Sequence, residues 1–420
     1  MMDSVDVAVI GGGPAGLAAA ISAKREGAGR VVILERDDGL GGILQQCIHT
    51  GFGAQILKED LTGPEYAERF VQEARQLEIE VKLGTMILEV SASEVVGINQ
   101  REGPFRVHAK SIVLAMGCRE RACGALRIPG NRPAGVFTAG TAQWYVNVLG
   151  HLPGNRIVVL GSGDVGLIMA RRLTLEGAKV EGVVELMPYP GGLNRNVVQC
   201  LLDYDIPLIL GHTVTCIHGR ERVEGVTIAQ VDEEALPVPG TESFIPCDTL
   251  LLSVGLIPEN ELSRKAGITI DPATGGPVVD ETFETSVSGI YSCGNVVHVH
   301  DLADDVTEDG YVAGKHAALR AIGEHARPRE CVVSVEKARN VRYVVPQRLR
   351  WETERATLAF RVREPEERVR VRLTSEGHSL LQIPQRRVRP GEMLKVALTK
   401  PVLARLRGEL IVSVEREECG

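Results

Sequence analysis

The chain has 420 residues, 44% hydrophobic and 24% charged, with 47 Lys and Arg against 55 Asp and Glu for a net charge of −8. That is the balance of a folded globular protein with room for two or three domains, and its sign excludes general affinity for nucleic acid. No apolar run is long enough to cross a bilayer and the first strand begins almost at the N-terminus, so a cytoplasmic protein with no signal peptide and no membrane span is expected.

The first stretch, Val5 to Glu35, sets the pattern. Val5, Val7, Ala8, Val9 and Ile10 form an apolar run suited to a strand buried on both faces. Gly11, Gly13 and Gly16 follow at the spacing G-x-G-x-x-G, then a helical run from Pro14 to about Arg25 and a second strand from Val31 to Leu34, ending at Glu35. Gly11 permits the tight turn, Gly13 lets a pyrophosphate approach the backbone, and Gly16 lets helix and strand close up. The helix N-terminus presents unpaired N–H groups to phosphate, and the acid at the next strand end can accept from a ribose. A glycine triplet alone is weak evidence. Strand, helix and acid together predict a dinucleotide site.

The pattern returns 150 residues later. Arg156 to Leu160 reads as a strand, followed by Gly161, Gly163 and Gly166, a helix from about Asp164 to Gly177, and a strand from Lys179 to Val184 ending at Glu185. Six residues beyond each acid stands a glycine pair, Gly41–Gly42 and Gly191–Gly192. Each copy is followed by an apolar strand that stops on glycine, Ser111 to Gly117 and Thr249 to Gly255. In doubly wound sheets ligands sit beyond the carboxyl ends of strands, so these glycines are expected beside the cofactors. Two units of one design imply two nucleotides.

After the second unit comes GIYSCGNVVHVHD, Gly289 to Asp301: a strand (Ile290 to Cys293), a turn at Gly294–Asn295, and a helix from about Asp304 to Ile322. His298, His300 and Asp301 look like ligands, but alternate residues of one turn supply no third or fourth donor, so no metal site is expected. From Arg329 the texture changes. That segment holds 20 Lys and Arg against 13 Glu and no Asp, a balance of +7 that leaves −15 on the rest. Leu358 to Arg363, Arg368 to Leu373 and Glu409 to Glu415 alternate apolar with polar, separated by the turn-like Glu364-Pro365-Glu366, Ser375-Glu376-Gly377 and Arg389-Pro390-Gly391. A small antiparallel sheet or sandwich is expected, serving assembly rather than chemistry. Its cations either face an acidic partner surface or solvate an open sheet face. The nine cysteines are scattered without a C-x-x-C pair, neither a disulfide framework nor a zinc or iron–sulfur set.

Together the two fingerprints, the glycine pairs, the strands ending at Gly117 and Gly255, and GIYSCGN resemble the FAD-dependent pyridine nucleotide–disulfide oxidoreductases over roughly residues 3 to 325. The resemblance implies an α/β chain of two Rossmann-like dinucleotide-binding domains, the NAD unit inserted in the FAD domain, plus the small C-terminal antiparallel β domain. The implied boundaries are 1–120 with 287–328 for FAD, 121–286 for NAD(H), and 329–420 for the C-terminal module. Gly11, Gly13, Pro14, Ala15, Gly16, Glu35, Arg36, Gly41, Gly42, Ile43, Ala115, Gly117, Gly294 and Asn295 would then serve FAD. Gly161, Gly163, Asp164, Val165, Gly166, Glu185 and Gly255 would serve NAD(H). Glu185 would repel a 2′-phosphate and Leu186-Met187 follow it with no Arg, so NAD(H) is favoured over NADP(H). The helix beginning near Asp304 would aim its N-terminus at the flavin ring and stabilise negative charge there.

The chain departs from that family at two places. Asn295 replaces the usual Asp, and an amide still hydrogen-bonds a hydroxyl. Leu44 and His49 occupy the positions of the C-x-x-x-x-C dithiol, with Cys47 between them, so glutathione- or lipoamide-type reduction is disfavoured. Cys118 and Cys123 have that spacing in the connection between the two units and leave a redox disulfide open there. GGILQQCIHTGFG is most similar to the subgroup without the disulfide, FAD subunits of multicomponent sarcosine, opine, amino-acid and glycerol 3-phosphate dehydrogenases. The leading expectation is an FAD-dependent NAD(P)H oxidoreductase subunit moving a hydride between NAD(H) and FAD. It would exchange electrons within a hetero-complex that holds a second flavin dehydrogenase subunit; some such systems also include an iron–sulfur protein. Cys47, His49 and His300 are the candidate catalytic residues near the ring. Two alternatives are direct oxidation of a small amine, amino acid or hydroxy acid, with Arg119 or Arg121 clamping its carboxylate, and an FAD-stabilised scaffold subunit.

Overall fold

A computed structural model describes residues 3–324 and 332–416 of the chain. Cys331, Cys419 and the expected boundary at 328/329 lie outside them. The chain divides into two compact units, residues 1–118 with 258–420, and residues 119–257. The return to the first unit comes at Pro258 rather than at 287. The reason is packing: Leu262, Ala266 and Ile268 join the apolar core of the first sheet, and Val279 joins Val296, Val297, Tyr343 and Val345.

The first unit is built on β1 (Asp3–Ile10), α1 (Pro14–Arg25), β2 (Val31–Leu34), α2 (Gly63–Gln76), β3 (Glu80–Lys82), β4 (Thr85–Val90), β5 (Glu94–Asn99) and β6 (Gly103–Leu114). Its sheet runs β3-β2-β1-β6-β5-β4. β1 pairs in parallel with β2 (Val7 opposite Val31) and with β6 (Val7 opposite Ser111), and is buried on both faces, Val7 and Val9 in one apolar cluster and Ala8 and Ile10 in another. The long β6 changes partners along its length, antiparallel to β5 through its first half and parallel to β1 through its second. α2 starts on a capping box in which the Thr62 hydroxyl accepts from the Glu65 N–H and the Glu65 carboxylate accepts from the Thr62 N–H.

The second unit is a five-stranded parallel sheet. Its strands are β7 (Val136–Thr138), β8 (Arg156–Leu160), β9 (Lys179–Glu185), β10 (Leu208–Leu210) and β11 (Thr249–Leu252), ordered β7-β11-β8-β9-β10. α3 (Asp164–Leu175) connects β8 to β9. A three-stranded antiparallel sheet, His212–His218, Gly225–Gln230 and Ser243–Ile245, precedes β11.

Back in the first unit, β12 (Ile290–Ser292) pairs in parallel with β6, Ile290 opposite Ile112. α4 (Ala303–Ala321) then lies along α1. The two helices touch backbone to backbone. A Cβ on Gly310 would stand 2.3 Å from the Ala15 carbonyl oxygen, and one on Gly314 would stand 2.0 Å from that of Ala19. α1 meets this with buried Ala15, Ala18, Ala19, Ala20 and Ala23.

The C-terminal strands are β13 (Val332–Lys337), β14 (Val341–Val345), β15 (Arg348–Arg350), β16 (Arg355–Val362), β17 (Glu366–Ser375), β18 (His378–Val388), β19 (Leu394–Thr399) and β20 (Leu410–Arg416). They form sheets β15-β13-β20-β17-β18 and β14-β16-β19 over one shared apolar core. Pairing is antiparallel except between β13 and β20. Three of the module's cations meet carboxylates of residues 280–305, ahead of the module in the same unit. Arg350 reaches Asp280 at 2.6 Å and Glu284 at 2.5 Å, Arg361 pairs with Asp301, and Lys395 lies 2.6 Å from Asp305. Part of the positive excess is therefore matched within the chain, a third role besides facing a partner or solvating a sheet face.

Candidate nucleotide sites

In the first unit the turn after β1 is closed by contacts that only glycine allows. Gly11 has φ +103° and its missing Cβ would lie 2.4 Å from the Ala115 carbonyl oxygen; a Cβ on Gly16 would lie 1.8 Å from that of Gly11. Gly13 is different: nothing stands within 4 Å of the Cβ it lacks. It caps α1 without a side-chain hydrogen bond and Pro14 occupies the first turn, so the uncapped helix start faces open space. The Glu35 carboxylate, 6% exposed, accepts from the Gly12 N–H at 2.6 Å and from the Asp37 N–H at 2.9 Å. Each of its oxygens keeps a lone pair for a further donor. Arg36 is exposed beside it.

Gly41 donates its N–H to the Gly12 carbonyl at 2.8 Å, and the Cβ that Gly42 lacks would be 3.2 Å from Gly13 Cα. The glycine pair thus lies against the fingerprint turn, with Ile43 beyond it 60% exposed. Ala115 is buried at the end of β6, Gly117 has φ +70° with open space around it, and the Cβ that Gly294 (φ +72°) lacks would stand 2.8 Å from the Ala15 Cβ. These elements surround one cradle at the N-terminus of α1.

The second unit repeats the acid-to-turn bonds, with the Ser162 hydroxyl added between Glu185 and the glycine pair. Glu185, 8% exposed, accepts from the Ser162 N–H at 2.8 Å and from the Met187 N–H at 2.9 Å. A Cβ on Gly161 would stand 2.2 Å from the Ser253 carbonyl oxygen, as one on Gly11 would stand 2.4 Å from that of Ala115, and Gly255 (φ +103°) is as open as Gly117. The Gly191 N–H donates to Ser162 Oγ at 2.8 Å. Two differences stand out. A Cβ on Gly163 would meet Ser253 Oγ at 3.0 Å, so this cradle is narrower. Asp164, in the first turn of α3 before Val165 and Gly166, accepts from the Leu193 N–H and the Asn196 amide at 2.8 and 2.6 Å.

The candidate catalytic residues separate. Cys47 and His49 share the loop packed on α2: the Cys47 carbonyl accepts from the Gly63 N–H at 2.8 Å, and His49 lies 5.1 Å from the Phe52 ring with Nδ1 2.9 Å from the Thr50 carbonyl. From Phe52 an aromatic series continues through Tyr66 and Phe70 to Tyr311 on α4. Burial pushes the Cys47 thiol up to about 12, so at neutral pH it is protonated and no nucleophile. Because that lies above the 9.0 of an ordinary thiol, the burial stabilises fully below about pH 9, and the contribution is lost as pH rises further. Alkylation at pH 8 should run roughly 30- to 60-fold slower than for a model thiol, since lost thiolate outweighs gained nucleophilicity. Peptide mapping after timed iodoacetamide exposure checks this. Cys118 and Cys123 are both thiols. Arg119 and Arg121 are exposed, and the Arg121 backbone N–H donates to the Gly255 carbonyl at 3.0 Å.

His300 belongs to another cluster. Its Nε2 is 2.9 Å from Asp309 Oδ2 and its Nδ1 is 3.1 Å from Asn295 Oδ1, while His298 is 2% exposed with its ring 4.2 Å from that of His300. Burial, and secondarily the neighbouring His300, holds His298 well below the usual histidine range. Asp301, the third ligand-like residue of the sequence, turns away to Arg361 and the Met393 N–H. Asp309 on α4 takes that place, a group that sequence spacing does not reveal. The start of α4 is not a bare positive end either: Asp304 accepts from Gly53 and Ile56 N–H groups, and Asp305 pairs with Lys395.

Residues 5–323 match the family model described as pyridine nucleotide-disulphide oxidoreductase, and the chain belongs to that family. The family is one of FAD-dependent NAD(P)H oxidoreductases and binds both cofactors. A subunit of opine oxidase from Agrobacterium tumefaciens is 27% identical over 350 residues, covering 77% of this chain and 66% of that protein. The chain thus spans just under two thirds of this relative's length. Hydrogen cyanide synthase subunit HcnB of Pseudomonas protegens is 26% identical over 339 residues (75% and 68%), and the thioredoxin reductase of Listeria monocytogenes 27% over 320 (74% and 92%). Among solved structures, the thioredoxin reductase of Lactococcus lactis superposes with a TM-score of 0.63 at 21% identity, covering 76% of this chain and 99% of that one. That likeness carries the fold. Among the described residues no helix is long and apolar enough to cross a membrane.

Proposed function

We propose that the chain is the flavoprotein subunit of a multicomponent dehydrogenase, moving a hydride between NAD(H) and FAD and exchanging electrons with a partner dehydrogenase subunit. The observation that carries this reading is the duplicated turn network, Glu35 on Gly12 and Glu185 on Ser162, without a dithiol at Leu44 and His49. The opine oxidase relative and HcnB, both named as subunits, support the partner.

The residues fit an FAD: an open Gly13 and an uncapped α1 suit a pyrophosphate, and an exposed Ile43 suits an apolar ring system. Gly11, Gly13, Pro14, Ala15 and Gly16 would hold the pyrophosphate, and Glu35 and Arg36 the adenosine. Gly41, Gly42, Ile43, Ala115, Gly117, Gly294 and Asn295 would line the remainder. In the second unit Gly161, Gly163, Asp164, Val165, Gly166, Glu185 and Gly255 would hold the nicotinamide nucleotide. When bound, the flavin supplies the hydride acceptor and the outlet to a partner. The protein's work is orientation: the buried acids fix each adenosine end and the glycine turns set the depth of each pyrophosphate. Cys47 is protonated and takes no part as a thiolate.

The Glu185 carboxylate, followed by apolar Leu186 and Met187, disfavours a 2′-phosphate. Reduction of an artificial dye should therefore run with kcat/KM about tenfold or more higher for NADH than for NADPH, a difference of about 1.4 kcal/mol. Equal efficiencies would remove the NAD(H) preference. Co-purification of a flavin- or cluster-bearing subunit that accepts electrons from NADH through this chain tests the partner; reduction of the flavin by amines alone would transfer the case to direct substrate oxidation.

A further inference from the structure

We propose that His298, His300 and Asp309 form a binding site for one divalent transition-metal ion of the zinc type, on the far side of Asn295 from the fingerprint turn. The inference does not rest on the reading of function above.

The three residues each offer one ligand atom, and all three atoms lie within 4.8 Å of one another. The hydrogen positions of His300 follow from its partners. Asn295 Oδ1 accepts the His300 backbone N–H at 3.0 Å, which identifies that atom as the oxygen. Nδ1 of His300, 3.1 Å from the same oxygen, must then carry a hydrogen. In the neutral ring the lone pair is left on Nε2, facing Asp309 Oδ2 at 2.9 Å. That carboxylate oxygen is buried and accepts no hydrogen bond. Two lone pairs facing each other in a buried site repel unless a positive charge joins them.

His298 adds the second observation. Its ring is 2% exposed, yet Nδ1 has no hydrogen-bond partner. A buried imidazole nitrogen left unmade is costly, and metal coordination satisfies it. The Asn295 carbonyl behind His300 orients the ring as outer-shell acceptors do for metal-bound histidines. The nearby cations make their direct ion pairs elsewhere, Arg361 with Asp301 and Lys395 with Asp305 and Glu308, and Lys395 reaches Asp309 only through its field. Two neutral imidazoles and one carboxylate leave a site of charge −1, which a dication reverses to +1.

Two imidazoles and a carboxylate suit zinc, with a fourth position for water. At metal–ligand bonds of about 2.0–2.1 Å, tetrahedral ligands stand about 3.4 Å apart, so the cluster closes by less than 2 Å on binding. Asp309 is on a helix fixed to α1 by the adjacent Gly310, and the histidines lie on the turn after Asn295. A bound ion would staple that turn to α4.

The test uses the flavin-loaded protein, stripped with a chelator and titrated with zinc chloride alone in a calorimeter, with cobalt as a spectroscopic probe. One ion per chain is expected, together with a raised thermal midpoint and a cobalt ligand-field band. Asp309→Asn and His300→Gln should weaken binding about 100-fold or more while keeping the metal-free midpoint. His108→Gln, an exposed histidine elsewhere, should bind as the natural chain does. Absence of zinc and cobalt binding by the natural chain would overturn the proposal. So would binding left unchanged in both Asp309→Asn and His300→Gln, which would leave His300 and Asp309 as a proton-bearing ion pair only.

Discussion

Gly16→Val is expected to lower stability by about 3 kcal/mol, the upper part of the usual overpacking range, and to yield protein without flavin. A Cβ here would stand 1.8 Å from the Gly11 carbonyl oxygen and 3.3 Å from Val9 Cγ1. Neither backbone can retreat, because Gly11 is itself pressed on the Ala115 carbonyl and α1 is held from behind by Gly310 and Gly314. Gly13→Ala is the informative companion. Its Cβ meets nothing within 4 Å and its φ of −76° suits any residue, so the urea midpoint should stay while FAD affinity falls about tenfold or more. If Gly13→Ala lost neither, the open space there would not be a pyrophosphate seat.

Arg350→Leu is expected to cost about 3–5 kcal/mol, the range for breaking a buried ion pair from one side. Its guanidinium bridges Asp280 and Glu284, whose side chains are 12% and 8% exposed, and its backbone N–H donates to Glu281 at 3.0 Å. Removal strands Asp280 and leaves Glu284 only the more distant Arg320, at 3.7 Å, in a site with little water. Replacing all three, Arg350→Leu with Asp280→Asn and Glu284→Gln, should recover much of the loss, because the penalty belongs to the stranded charge rather than to the missing attraction. Urea unfolding of the single and the triple variant measures it. If the single variant unfolded as the natural chain does, the joint between β15 and residues 280–284 would be peripheral.

The parts of this fold that can be read from sequence are those whose cause is local. Gly11, Gly13 and Gly16 act within one turn, and Glu35 and Glu185 report the ends of their strands, so α1 (Pro14–Arg25) and β2 (Val31–Leu34) begin and end where expected. The strands after Arg329 are legible from alternation, though not the parallel pairing of β13 with β20, which joins segments far apart in sequence. The contacts that hold the site together depend on pairs that sequence does not announce. The G-x-x-x-G at Gly310 and Gly314 is visible as a motif, yet its meaning needs the alanines of α1 beside it. The antiparallel pair β4–β5 leaves only a faint pattern because apolar Met86, Leu88 and Ile98 stand at its exposed positions. Asp309 is invisible as a neighbour of His300 since the turn between them is irregular, and Asp301, adjacent in sequence, is drawn off by Arg361 from 60 residues away. The cations of the C-terminal strands likewise gain a role only once their partners Asp280, Glu284, Asp301 and Asp305 are in place.

The central claim is that one cradle holds a flavin and the other delivers a nicotinamide to it. Anaerobic mixing of the FAD-loaded chain with an equivalent of NADH tests it most directly. Bleaching of the visible flavin absorbance within the mixing experiment, with NAD+ formed in equal amount, is the predicted result. A chain that retains FAD but whose spectrum is unmoved by NADH would contradict it.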